Sequence, residues 1–380
     1  MSLRLQFERR EIMAIKKVLI TGEEGFLYRY RFLFEAMSKQ VDNLQTLPGG
    51  DLYDSTSIQP LIKLINRVMY QVSISTADRI FHKNPKAFIA KSRQTEAKIS
   101  QLDYKPDLVL HVFGMYCPVW DNQDIPYSMY LDYTMALAAK NWSEWVPFRN
   151  TKEREDWLAC ERQAFQRACH LFTMSKITKN SLIEDYGIKP EKISVVGCSG
   201  NFDAPFDGEK TFGNQQILFN GSDFERKGGS LLLAAFKKVK QELPHSKLVI
   251  IGKKLRIRED GVINLGKISS RAAVRDLFLD TDLVAAPSYC DPFPAFLIEA
   301  LNYGIPCLVP NKDGMPEIVA DGIDGIVVRE MEPEVIADKI IETLSDTSKL
   351  SSMSQQARHK IRTKLNWNDI ANSMLQSLDN

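Results

Sequence analysis

Short runs of β-branched and other apolar residues alternate along the chain with longer stretches whose apolar residues return every three or four positions. This alternation predicts α/β layers built on parallel strands, because a buried strand reads as a continuous apolar run and a covering helix as a stripe. A first series of strands is predicted at 17–20, 107–112, 127–131, 171–174 and 193–196. Before the fourth of these, Trp157, Cys160, Glu161, Ala164, Phe165 and Ala168 repeat at the spacing of one helix face, so a helix there packs on the sheet. A second series is predicted at 216–219, 247–251, 283–286, 306–309 and 325–328. Its clearest helix is 230–243, with Leu232, Ala235, Phe236, Val239 and Leu243 as the apolar stripe.

Between the two series, residues 197–214 are polar and carry Gly200, Pro205, Gly208 and Gly213, the composition of a linker. The expected architecture is α/β, two Rossmann-like doubly wound domains facing across a cleft, with an N-terminal domain at 16–200 and a C-terminal domain from 201. Residues 1–15 alternate basic and acidic side chains without the apolar core of a secretory signal, and are read as a leader or mobile arm outside the fold. In such sheets a ligand lies beyond the carboxyl ends of the strands, so the cleft between the domains is where chemistry is expected.

Composition narrows the class. The 380 residues carry 49 Lys and Arg against 48 Asp and Glu, a formal charge of +1, which disfavours one extended nucleic-acid-binding surface. The longest apolar runs, 108–113 and 283–286, fall far short of the ~20 residues that cross a bilayer. Six cysteines, Cys117, Cys160, Cys169, Cys198, Cys290 and Cys307, form no C-x-x-C pair, so reduced and mostly buried thiols in a cytoplasmic protein are expected. The sequons at Asn141 and Asn220 are read as chance.

The stretch 287–306 follows a strand and opens a helix. Asp291 precedes that helix and Glu299 lies about two turns into it, so two carboxylates and the helix-start N–H groups can face one ligand. This acidic-x7-Glu pattern is followed by Ala300-Leu301-Asn302-Tyr303-Gly304-Ile305-Pro306 and by Asp313-Gly314-Met315-Pro316-Glu317-Ile318-Val319. Together they resemble the retaining GT-B glycosyltransferases of family 4. Upstream, 219–229, with Gly221, Arg226, Lys227, Gly228 and Gly229, resembles that family's glycine-and-basic loop at the donor pyrophosphate. Trp367 before the final helix resembles its C-terminal return segment, placing the donor domain at 201–362 and a returning helix at 363–380.

The resemblance implies transfer of a sugar from a nucleotide-sugar donor, with a UDP-sugar expected, to an acceptor hydroxyl on a carbohydrate, a lipid-linked sugar or a small molecule in polysaccharide or glycoconjugate biosynthesis. Asp291 would face the sugar hydroxyls, and the backbone at Phe293, Pro294, Ala295 and Phe296 would hold sugar and phosphates. Lys227 and Arg226 would meet the charge that grows on a departing diphosphate. Glu299 offers two acceptor oxygens to the two donor hydroxyls of a ribose. The resemblance also implies that the leaving phosphate itself can take the acceptor's proton, so no dedicated base is required, and no metal or other cofactor is expected.

The chain departs from the family pattern at Ser222, where many members carry Arg, at Pro294, which lacks the N–H of a frequent Gly, and at Asp132, where a His is usual. Asp132 is read as a group that stabilises positive charge on the sugar or orients the acceptor. Gly22 and Gly25 are read as an acceptor-side turn. His111 is read either as a satisfied structural residue or as an acceptor-side group.

Trp120, Trp142, Trp145 and Trp157 cluster near Asp132 and suit either sugar faces or the core. Asp280-Thr281-Asp282 resembles a metal pair but precedes a buried strand, so a structural role is expected. Gly197-Cys198-Ser199-Gly200 lacks the spacing of a nucleophile elbow. Residues 79–98 hold Arg79, Lys83, Lys86, Lys91, Arg93 and Lys98 against Glu96, either a solvated helix face or a peripheral contact with anionic lipid or a lipid-linked acceptor at the inner membrane face. The rival readings are a catalytically silent nucleotide-sugar-binding partner, marked by binding without turnover, and a GT-B nucleotide-sugar epimerase, which would need no acceptor.

Overall fold

A computed structural model describes residues 15–50, 59–122 and 124–378. The expected arm at 1–15 lies, except for Ile15, outside the described residues. Two six-stranded sheets, every strand pairing parallel, carry the fold. The first contains β1 (Lys17–Gly22), β2 (Asn43–Pro48), β3 (Leu108–Val112), β4 (Tyr127–Leu131), β5 (Leu171–Thr173) and β6 (Ile193–Val195), in the order β2-β1-β3-β4-β5-β6. The second contains β7 (Gln216–Asn220), β8 (Lys247–Ile251), β9 (Val262–Gly266), β10 (Leu283–Ala285), β11 (Cys307–Pro310) and β12 (Gly325–Val328), in the order β12-β11-β10-β7-β8-β9. Both orders are doubly wound, with the topological reversal between β1 and β3 in one sheet and between β7 and β10 in the other.

The central strands are the apolar runs of the sequence, and their burial on both faces explains why: β3, β4, β5, β10 and β11 are buried at every residue. The helix Thr151–Arg167 buries Trp157, Cys160, Glu161, Ala164 and Phe165, the face its periodicity marks, and the helix Gly229–Glu242 buries Leu232, Ala235, Phe236 and Val239. Cys117, Cys160, Cys198, Cys290 and Cys307 are buried free thiols, whereas Cys169 is exposed.

The chain passes between the sheets twice. Residues 197–214 run from the first to the second, and after the helix Thr347–Thr363 the chain returns so that the helix Trp367–Leu378 packs on the helix Arg31–Ser38. The crossings are stitched together, because Ser199 Oγ donates to Leu365 O at 2.7 Å and Trp367 Nε1 donates to Gly200 O at 2.8 Å. Trp367 is buried and meets the Tyr30 ring edge-on. Among the described residues no helix is long and apolar enough to cross a membrane.

Candidate functional site

Both topological reversals open onto one crevice. From the second sheet, the turn after β7 brings Arg226 and Lys227 beneath the loop after β10. Gly228 makes that turn possible: its φ is +77°, and a Cβ there would stand 2.0 Å from Pro287 O. The neighbouring chain thus approaches closely enough for Lys227 Nζ to reach Asp291 Oδ2 at 2.7 Å. Arg226 Nη1 stands 3.7 Å from the same oxygen, donates to Cys290 O, and its Nε pairs with Asp223 at 2.6 Å. The Asp291 side chain and both basic side chains are largely buried, so this charge cluster works in a poorly screened setting.

Two helices begin at this cluster, Gly229–Glu242 and Ala295–Asn302, and neither has a side-chain cap on its first turn. The helices Thr151–Arg167, Lys176–Glu184 and Arg271–Asp280 are capped by Asn150, Ser175 and Ser270. Open N–H groups beside Lys227 and Arg226 make an anion site of the kind a diphosphate fills. Phe293 is buried, and Phe296 packs at a tilt against Phe278 with ring centroids 5.6 Å apart. Pro294 holds the cap position before Ala295, so what this segment can offer a ligand is backbone. Gly221 follows β7 and opens that turn, its N–H bonded to Ile251 O at 2.8 Å.

Glu299 lies on the far side of the same helix. Its Oε1 accepts from the Asn201 N–H of the crossing segment at 3.2 Å, and burial pushes its carboxyl above the usual range. It lines a cavity of about 570 Å³ with Tyr28, Asn201, Phe202, Ile268 and Arg271. A second cavity, of about 500 Å³, lies between the sheets, where Asp291, Pro292 and Arg226 face Asp132, Phe113 and Trp145. Burial lifts the Asp132 carboxyl to about 7. The buried Glu161 lines the same cavity, accepts from Met135 N at 3.3 Å and from the Tyr186 hydroxyl, and is also lifted to about 7 by burial.

A polar clasp closes this cavity. Asp313, held at φ +49°, accepts from Asp291 N at 2.9 Å through Oδ2, and from the Tyr133 hydroxyl at 2.6 Å and Asn141 Nδ2 at 2.9 Å through Oδ1. The Arg226 guanidinium stacks over Trp145, 5.0 Å from the ring centre, and Glu317 accepts from Lys176 N at the start of the helix Lys176–Glu184 at 2.8 Å. Asp313 and Phe113 are two non-glycine residues with left-handed backbone, and both flank the crevice.

Several expectations on the acceptor side are corrected. His111 is fully buried inside the first sheet, bonded through Nδ1 to Thr21 Oγ1 at 2.8 Å and met edge-on by Tyr116. Burial lowers it to about 3, so it is a neutral structural residue away from the cavity. Gly22 is the last residue of β1, and Gly25 lies in the helix Glu24–Arg29 with open space about it; neither has positive φ, and the chain turns into the helix at Glu23, whose carbonyl accepts from Phe26 N at 2.9 Å. The strand-to-helix junction instead brings Glu23, Phe26 and Arg29 to the cavity. Trp157 is core, and only Trp145 of the four clustered tryptophans lines the cavity.

The basic stretch 79–98 is not one outward face. Lys91 is buried and paired with Glu23 at 2.9 Å, Lys83 pairs with Asp78 at 2.9 Å, and Arg93 pairs with Asp121 at 2.9 Å. Asp282 accepts from Gly213 N and Gln215 N, a structural role for the Asp-Thr-Asp sequence. Among the described residues, no three His, Cys, Asp or Glu side chains group as a metal ligand set.

Two doubly wound domains whose strand ends share a crevice define the GT-B class of fold. The chain matches the family described as glycosyl transferases group 1 over residues 203–360. It is similar to an uncharacterized glycosyltransferase of Methanocaldococcus jannaschii, 26% identical over 238 residues that cover 56% of this chain and 60% of the relative. The chain spans about half the length of the curated relatives it matches. Among solved structures, it resembles sucrose-phosphate synthase from Thermosynechococcus elongatus with a TM-score of 0.68, 16% identity and coverage of 95% of this chain and 98% of that one. It also resembles Anabaena HepE in complex with UDP-glucose, with a TM-score of 0.62, 14% identity and coverage of 95% and 99%. At such identities the likeness concerns the fold.

Proposed function

We propose that the chain is a retaining glycosyltransferase of the family 4 kind, moving a sugar from a UDP-sugar to an acceptor hydroxyl in glycoconjugate or polysaccharide assembly. The observation that carries this reading is the convergence of Lys227 and Arg226 on Asp291 beside two uncapped helix starts. The nucleoside takes the cavity around Glu299, whose carboxylate accepts from the ribose hydroxyls. The diphosphate meets Lys227, Arg226 and the helix-start N–H groups. The sugar then reaches the cavity between Asp291 and Asp132, where the acceptor enters.

In the reaction the bond from the anomeric carbon to the diphosphate oxygen breaks, and a bond to the acceptor oxygen forms on the same face. The acceptor's proton passes to the departing diphosphate. Preorganised positive charge near that leaving group is worth most in a water-poor site. Asp132 faces the sugar and, once ionised, stabilises the positive charge that develops on its ring. The scheme needs no metal, because the two basic side chains and the helix starts supply the charge. Five buried free thiols suit the reducing cytoplasm.

The test is nucleotide release from a panel of UDP-, GDP- and ADP-sugars, with and without EDTA, alongside binding by calorimetry. EDTA-insensitive UDP release from one sugar, accelerated by an acceptor, is the expected result. Tight binding without release under all conditions would sink the enzymatic reading in favour of a nucleotide-sugar-binding partner.

A further inference from the structure

The helix Gln59–Val72 carries five of the large apolar side chains that the fold leaves exposed: Leu61 at 58%, Leu64 at 58%, Ile65 at 45%, Val68 at 51% and Val72 at 80%. At 100° per residue these five positions fall within an arc of about 100°. Scattered apolar residues on a surface need no explanation, but five on one face of one helix form a stripe that water solvates poorly. The charge on the same segment has one sign. Residues 59–77 contain Lys63 and Arg67 and no Asp or Glu, in a chain whose net charge as a whole is only +1.

We propose that this helix lies in the interface of an anionic lipid bilayer, its apolar stripe among the acyl chains and Arg67 at the headgroups. An apolar stripe joined to basic residues without acids is the pattern of an interfacial helix, and the sign of the charge favours an anionic membrane over a second copy of this nearly neutral chain. The helix also adjoins the crevice. Asn66 Nδ2 stands 3.1 Å from His82 Nε2, and His82, with Asp78 and Lys83, lines the cavity that faces Asp132. A docked helix therefore sets that cavity beside the lipid surface. The docking stands without the proposed activity; only its consequence, that the acceptor is carried on a lipid, rests on that reading.

The test is co-sedimentation of the full chain with vesicles of phosphatidylcholine alone or mixed with phosphatidylglycerol, at low and high salt and without any donor. The expected result is binding to the mixed vesicles that weakens with salt. Leu64→Glu with Val68→Glu should reduce partitioning by about tenfold or more, and Arg67→Glu by about fivefold. All three side chains are exposed, so circular dichroism melts should match the parent. A parent chain that stays in the supernatant with both vesicles overturns the proposal, as does equal binding by the double variant. A concentration-dependent dimer in sedimentation velocity, abolished by the double variant and without vesicle binding, would assign the stripe to a second copy instead. Because no donor is used, failure here is distinct from failure of the nucleotide panel.

Discussion

Asp132 lies in the cavity wall opposite Asp291, and the same burial that isolates it sets the pH at which it ionises. Its carboxyl rises from 3.8 to about 7, so the fold favours the protonated form. The stability this contributes is full below the unfolded value and is lost as pH rises through about 7. Asp132→Asn should remove this contribution, so between about pH 4 and pH 7 its melting temperature should change less steeply downward than the parent's. If the ionised form stabilises the sugar, turnover should rise with pH through about 7, and Asp132→Asn should lower transfer while leaving UDP affinity intact; a defect confined to donor binding would remove Asp132 from this role. Glu299→Ala should weaken UDP binding by about 1.5–3 kcal/mol, the range for hydrogen bonds to a charged group, as read by calorimetry. Lys227→Ala should reduce turnover by ~2–4 kcal/mol of transition-state stabilisation, an effect absent if parent and variant rates coincide.

Asp291, Glu299, Arg226 and Lys227 were legible as candidates because each lies in a short motif whose neighbours report the local turn. Arg29, Glu161 and Asp313 were not, since their place depends on which distant segments the fold brings together. Asp313 stood in a quoted motif, but its bonds to Tyr133 and Asn141 cross between the sheets. His111 shows how the structure decides between two readings the pattern left open: it stands at the end of an apolar strand, and the adjoining sheet and Tyr116 enclose it as a structural residue.

At the scale of elements, ten of the twelve strands are readable as apolar runs, and the two that are not, β2 and β9, are sheet edges. Asn-Leu-Gln-Thr-Leu-Pro and Val-Ile-Asn-Leu-Gly keep several side chains exposed, so neither needs a continuous apolar run. An edge strand owes its existence to the neighbour that templates it, which a single-sequence pattern does not contain. The turn before the helix Gly229–Glu242 is the opposite case, dictated by one residue. Gly228→Ala would combine left-handed strain of about 1–2 kcal/mol with a clash against Pro287 backbone. Thermal unfolding should show a drop of several degrees, and UDP binding should weaken as the Arg226-Lys227 turn shifts. An unchanged melt would mean the turn has room to rearrange.

For the molecule as a whole, the crevice is shaped by contacts made across it. Tyr133 and Asn141 reach Asp313, Trp145 covers Arg226, and Glu317 meets the helix at Lys176. Tyr133→Phe removes one of these hydrogen bonds while keeping the ring, and leaves Asp313 Oδ1 with Asn141. The expected outcome is a larger radius of gyration by small-angle scattering for the ligand-free variant, with the difference shrinking when UDP binds; identical scattering curves would show that this bond does not govern closure. The double passage between the sheets has a consequence for how the protein comes apart. Because the final helix is anchored on the first domain while its chain issues from the second, cutting the polypeptide between Gly208 and Gly213 does not release either half. A protease nick there should give two bands under denaturing conditions and one unaltered species on a sizing column, so integrity on a column is no guide to an intact backbone.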